Sequence, residues 1–133
     1  MNRSGRGRIP AVIITALAIA AAVGIRTYIS PCIHEDGAFG SCHFAGQAVF
    51  GLALLMTAEG VLAAVWNNAG VRRGIFLSVL LAGILGILIP GTLIGLCSMA
   101  AMRCRAVMRP AVTILFSLMC AAAAGGIIST GER

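Results

Sequence analysis

Four long apolar runs decide what this chain can fold into. Residues 9–29, 44–66, 74–96 and 110–128 form runs of 19 to 23 residues with very few charges. As helices rising about 1.5 Å per residue, such runs match a hydrocarbon core of about 30 Å. The chain is 59% hydrophobic and 11% charged, where a soluble domain carries about 25% charged residues. Its mean hydropathy is +1.00. The sequence therefore predicts an all-α integral membrane four-helix bundle, a single transmembrane domain over residues 1–133. Seventeen glycines would weaken soluble helices, but between membrane helices small residues permit close approach.

The breaks between runs are short. Met1–Arg8 is a basic tail holding Arg3, Arg6 and Arg8. A basic start before an apolar stretch also resembles a signal peptide. The run is long for one and three more follow, so the first run is expected to stay as a helix. Asn67–Arg73 reads as a tight polar turn, with Trp66 suited to the membrane interface. Pro90-Gly91 is expected to bend the third helix near its far end. Pro110 suits the first turn of the fourth, and Ser129–Arg133 reads as a short polar tail.

Four spans place both termini on one side and the other two connections opposite. The net charge of +6 comes from ten arginines and no lysine. Arg3, Arg6, Arg8, Arg72, Arg73 and Arg133 fall on the termini side, against Arg26, Arg103, Arg105 and Arg109. This bias orients the termini to the cytoplasm of an inner or plasma membrane, with the cysteine connections extracytoplasmic. The arginines cap apolar runs and form no basic face with aromatic interleaving, which argues against nucleic-acid binding. The partners expected are the lipid bilayer and either further copies of the chain or another membrane complex.

Chemistry concentrates in two stretches. Pro31–His43 holds two of the five cysteines, both histidines and two of the four acidic residues. Cys97–Cys104 holds two more cysteines with Met99 and Met102. Each half then reads as helix, cysteine loop, helix, a weak internal repeat suited to a pseudo-twofold axis along the membrane normal. Three readings stay open. Thiolates, thioethers and an imidazole from Cys32, Cys42, His43, Cys97, Met99, Met102 and Cys104 suit Cu(I), with Zn(II) for a Cys/His subset. Alternatively, Cys32, Cys42, Cys97 and Cys104 cycle as a membrane thiol–disulfide oxidoreductase, although the chain lacks a CxxC. As a third reading they form plain disulfides in a structural subunit, and four cysteines allow three pairings. Haem is a lesser form of the metal reading, with no CxxCH. His34, beside Glu35-Asp36, reads as a solvated loop residue, and Cys120 as an inert apolar one.

Glu59 is the other candidate. It falls inside the second run, about four residues or roughly 6 Å from its middle. A carboxyl there suggests a proton relay, an ion path or a partner contact. A bond to Thr15, Ser78 or a backbone carbonyl, or pairing with Arg72 or Arg73, would make it structural. No Ser/His/Asp set or phosphate loop suggests a hydrolase. Short connections leave little bulk for a transporter acting alone.

The motifs have a familiar order. Pro31-Cys32 near the end of the first helix is followed by Asp36-Gly37, Cys42-His43 and Gly46-Gln47-Ala48. The second half has LIPGTLIGLC over residues 88–97, then Met102-Arg103-Cys104 and Pro110. Over nearly the whole chain this resembles a family of small four-helix bacterial and archaeal membrane proteins catalogued as a domain of unknown function. The family's first motif reads closer to MxCHW, whereas here it is Gly40-Ser41-Cys42-His43-Phe44. Glycine in place of that methionine weakens a metal reading for the first loop. The resemblance implies an accessory subunit of a transport-type membrane complex.

Overall fold

The computed structural model describes residues 3–27, 41–94 and 104–131. They form α1 (Arg3–Thr27), α2 (Ser41–Val65), α3 (Ala69–Leu88) and α4 (Arg109–Gly131). A π-helical turn, Cys104–Met108, leads directly into α4. Each helix lies antiparallel to the next, and α1 closes the ring against α4. The segments Gly7–Thr27, His43–Val65, Ala69–Leu88 and Ala106–Gly131 are long and apolar enough to cross a membrane.

The helices are apolar nearly all round, so size rather than polarity separates their faces. On α1 the buried side chains are Ala11, Ile14, Ala18, Ala21 and Ile25, in alternating steps of three and four. On α3 they are Phe76, Val79, Gly83 and Gly86, and on α4 Val112, Phe116, Met119, Ala123 and Gly126. Ala45, Val49, Ala53 and Met56 face inward from α2. Steps averaging near 3.5 residues keep one seam turned toward the neighbours along the full helix. The outward positions carry larger aliphatics, among them Val12, Ile19, Leu55, Leu62, Leu81, Ile84, Ile114 and Leu118. Water would not tolerate an apolar surface of this extent; lipid solvates it. The chain is a small multi-pass membrane protein with an all-α four-helix architecture.

Between α3 and α4 two contacts mirror each other. Phe76 of α3 lies over Gly126 of α4, and Phe116 of α4 lies over Gly86 of α3. A Cβ at Gly126 would meet the Phe76 ring at 2.7–2.9 Å. One at Gly86 would collide with the Phe116 ring. On each helix the phenylalanine precedes its glycine by ten residues, so the antiparallel pair repeats the same knob and hole in both directions. Cys120 fills the neighbouring gap over Gly83, its thiol 3.7 Å from the Leu80 carbonyl. That packing agrees with its reading as an apolar filler.

Threonine hydroxyls in the helices are satisfied locally. Thr15, Thr57, Thr113 and Thr130 each donate to the carbonyl four residues back at 2.7–2.8 Å. This bonding removes the need for water inside hydrocarbon.

Several boundaries differ from the sequence expectation. The polar stretch 67–73 is not a turn throughout: α3 starts at Ala69, with Asn68 as N-cap accepting from Gly70 N–H at 2.9 Å. An Asx cap starts a helix as readily as it shapes a turn, and it carries Arg72 and Arg73 into the first turns. Pro90-Gly91 also ends α3 instead of bending it. Pro90 has no N–H to continue the ladder, and Gly91 takes φ +100°, a left-handed turn that glycine adopts without strain. The turn closes through Gly91 N–H to Ile94 O and Ile94 N–H to Ile89 O, both 3.0 Å. At the other end α4 continues through Ser129 and Thr130 to Gly131, where a polar tail was expected.

Candidate functional site

The bundle has two dissimilar ends. At one, α1 leaves at Thr27, α2 enters at Ser41, α3 finishes at Leu88 and the π-turn enters at Cys104. Both cysteine-bearing connections, 28–40 and 95–103, therefore join the bundle at this end. His43 stands in the first turn of α2, half-buried, its ring edge-on to Phe44 at 6.0 Å between centroids. Cys32, Cys97, Met99 and Met102 lie outside the described residues, as do the side chains of Cys42 and Cys104. Among the described residues no three His, Cys, Asp or Glu side chains form a metal-sized group. The same end carries two arginines. Arg26 stacks over the Phe50 ring at 4.4 Å from its centroid. Arg109 reaches the turn at Gly91, where a Cβ would stand 3.4 Å from its guanidinium carbon.

Toward the opposite end, Glu59 of α2 meets Ser78 of α3. The Ser78 hydroxyl donates to Glu59 Oε1 at 2.5 Å. Of the structural partners considered for Glu59, Ser78 is the one the helix register selects. Thr15 donates to its own backbone instead. Glu59 Oε2 is buried and has no hydrogen-bond partner among the described residues. The α2/α3 seam is the thinnest of the four, and Ser78 is exposed on its outer side. Replacing Ser78 with alanine strands Oε1 as well, and should lower stability in detergent by about 1–2 kcal/mol. Glu59→Gln keeps an acceptor for Ser78 and should stay within about 0.5 kcal/mol. Equal losses in the two variants, measured by thermal unfolding, would show that charge rather than the serine bond holds the pair.

The role of Arg72 at the end of α2 is missed by sequence reasoning. It is 4% exposed and folds back over the end of α2. Its Nε donates to Ala63 O at 3.0 Å and its Nη2 to Trp66 O at 2.7 Å. Both carbonyls belong to a helix end with no further turn to serve them. Gly7 of α1 makes the room, since a Cβ there would sit 2.5 Å from Arg72 Nη1. Arg8 adds a bond to Asn67 Oδ1 at 3.1 Å. The one available signal was an arginine within ten residues of an unfinished helix C-terminus, and headgroup binding accounts for such an arginine equally well.

The model of one protein family, described as a domain of unknown function (DUF4418), matches residues 12–129. The chain belongs to that family. The match takes in all but the outer ends of the DUF4418 bundle, and includes both cysteine connections, Glu59, Ser78 and Arg72. Arg3, Arg6 and Arg8 precede it. No curated protein matches the chain, and no solved structure does.

Proposed function

We propose that this DUF4418 protein gathers soft ligands at one membrane face. Cys32, Cys42, His43, Cys97, Met99, Met102 and Cys104 there bind Cu(I) or Zn(II) or hold disulfides, in the service of a larger membrane complex. The observation that carries this reading is connectivity. The up-down order of α1 to α4 brings the ends of both cysteine connections to the same end of the bundle, with α1 packed on α4. Four thiols, two thioethers and an imidazole on one face make a donor set for a soft ion. The arginine count favours an extracytoplasmic position for that face, where thiols also oxidise readily.

Mass spectrometry under non-reducing conditions, combined with metal analysis of the purified chain, tests the reading. With metal bound, the protein should carry about one Cu(I) or Zn(II) per chain. Cys42→Ser with His43→Ala should remove most of it. Two complete, reduction-resistant disulfides without metal would leave only the structural role. A mixed redox state that responds to added quinone would replace both with thiol–disulfide exchange. Unchanged metal content in the double variant would remove the first connection from the ligand set.

A further inference from the structure

Along the seam of α1 and α2 runs a groove of about 340 Å³, open to the membrane side and lined by Ile19, Ala22, Val23, Phe50, Leu54 and Thr57. Its hydroxyls do not face the groove as free donors. Thr57 donates to Ala53 O and Thr27 to Val23 O, both at 2.8 Å. The wall is therefore apolar from end to end. At the mouth, in the last turn of α1, stands Arg26, exposed and stacked on Phe50. Its side chain lines the groove, so a single charge closes an otherwise apolar wall.

Arg26 has no carboxylate partner among the described residues. Of the chain's four acidic residues only Glu59 is described, and it is engaged with Ser78. The Phe50 ring supports the guanidinium from one face and leaves N–H edges to donate. A planar fork of donors suits phosphate oxygens.

Shape narrows the occupant further. From Arg26 to Ile19, and from Phe50 to Thr57, is seven residues, about 10 Å of helix. An apolar groove of about 340 Å³ with a cation at its mouth suits a hydrocarbon chain below an anionic headgroup. We propose that the α1/α2 groove is a binding site for an anionic phospholipid. One acyl chain lies along Val23 and Leu54, and the headgroup phosphate is held by Arg26. The site differs from the thiol cluster and does not depend on it.

The full-length chain, delipidated in neutral detergent, is titrated with phosphatidylglycerol, phosphatidylcholine or glycerol phosphate, and retained lipid is counted by native mass spectrometry. Phosphatidylglycerol should be retained at about tenfold lower concentration than phosphatidylcholine, the worth of one charge-assisted pair. Arg26→Gln should abolish the difference, Arg26→Lys should keep part of it, and Arg109→Gln, at the same end on α4, should leave it intact. Val23→Trp should reduce retention of both lipids, its folding checked by circular dichroism. The surface variant at Arg26 decides the matter even if the tryptophan fails to fold. The proposal is overturned if Arg26→Gln keeps the preference, if Arg109→Gln removes it equally, or if glycerol phosphate displaces the lipid at equal concentration. It is also overturned if a preference emerges only once Glu35 and Asp36 are neutralised, because the chain itself would then occupy Arg26.

Discussion

Gly86→Ala should destabilise the bundle by about 2–3 kcal/mol, although alanine is normally the better helix residue by about 1 kcal/mol. The added Cβ would collide with the ring of Phe116. Phe116 is itself fully buried, so the ring has no solvent side to retreat to. Either α3 and α4 move apart, and the mirrored Phe76–Gly126 contact loosens with them, or the ring leaves its rotamer. Gly51→Ala supplies the contrast. Nothing lies within 4 Å of a Cβ there, and the change should be neutral or slightly stabilising. Thermal unfolding in detergent compares the two. Trimming the ring in the same chain, as Gly86→Ala with Phe116→Leu, should recover part of the loss, since the two positions share one contact. If Gly86→Ala melted with the parent protein, the tight α3/α4 approach would be wrong.

Arg72→Ala should cost about 3 kcal/mol, the worth of two hydrogen bonds from a charged donor less the relief of unburying the charge. The residue closes the C-terminus of α2 from within α3, so its loss strands the carbonyls of Ala63 and Trp66 together. It also empties the space beside Gly7. The negative end of the α2 dipole favours a cation in that place, and a lysine would keep the charge. An ammonium is a single compact donor group without the planar fork, so Arg72→Lys should recover less than half of the loss. Proteolysis at the 66–68 link, followed together with unfolding, would locate the damage. Equal stability of the alanine and parent proteins would mean the carbonyls find other donors.

These two positions show what the sequence carries and what it does not. The four spans were legible because lipid demands length and apolarity, and both can be counted along the chain. Their ends were less so. Asn68 could cap a helix or shape a turn, and only the geometry of its bond to Gly70 separates the two. Pro90 could kink or stop a helix, and Gly91 with its positive φ turns it into a stop. Arg72 looked like a topology signal because a charge at a membrane edge has many uses. Its capping role depends on how α3 folds back over α2. The packing stripe on α1 was present in the spacing of Ala11, Ala18 and Ala21, but a chain so rich in alanine and glycine offers several such stripes. For Glu59 the chemistry narrowed the partners, and the choice of Ser78 needed the register of α2 against α3. The thiol residues were named from their clustering in two connections and from the order of their motifs. The bundle adds the common end from which their two connections leave.

The mirrored ring-and-glycine contacts also constrain how this protein can change over generations. A larger residue at position 86 is tolerable only in a lineage that has already reduced Phe116, and the same order binds 126 to Phe76. Each pair thus evolves as one locus with two addresses. The freedom to drift is left to the lipid-facing positions, where one aliphatic serves as well as another.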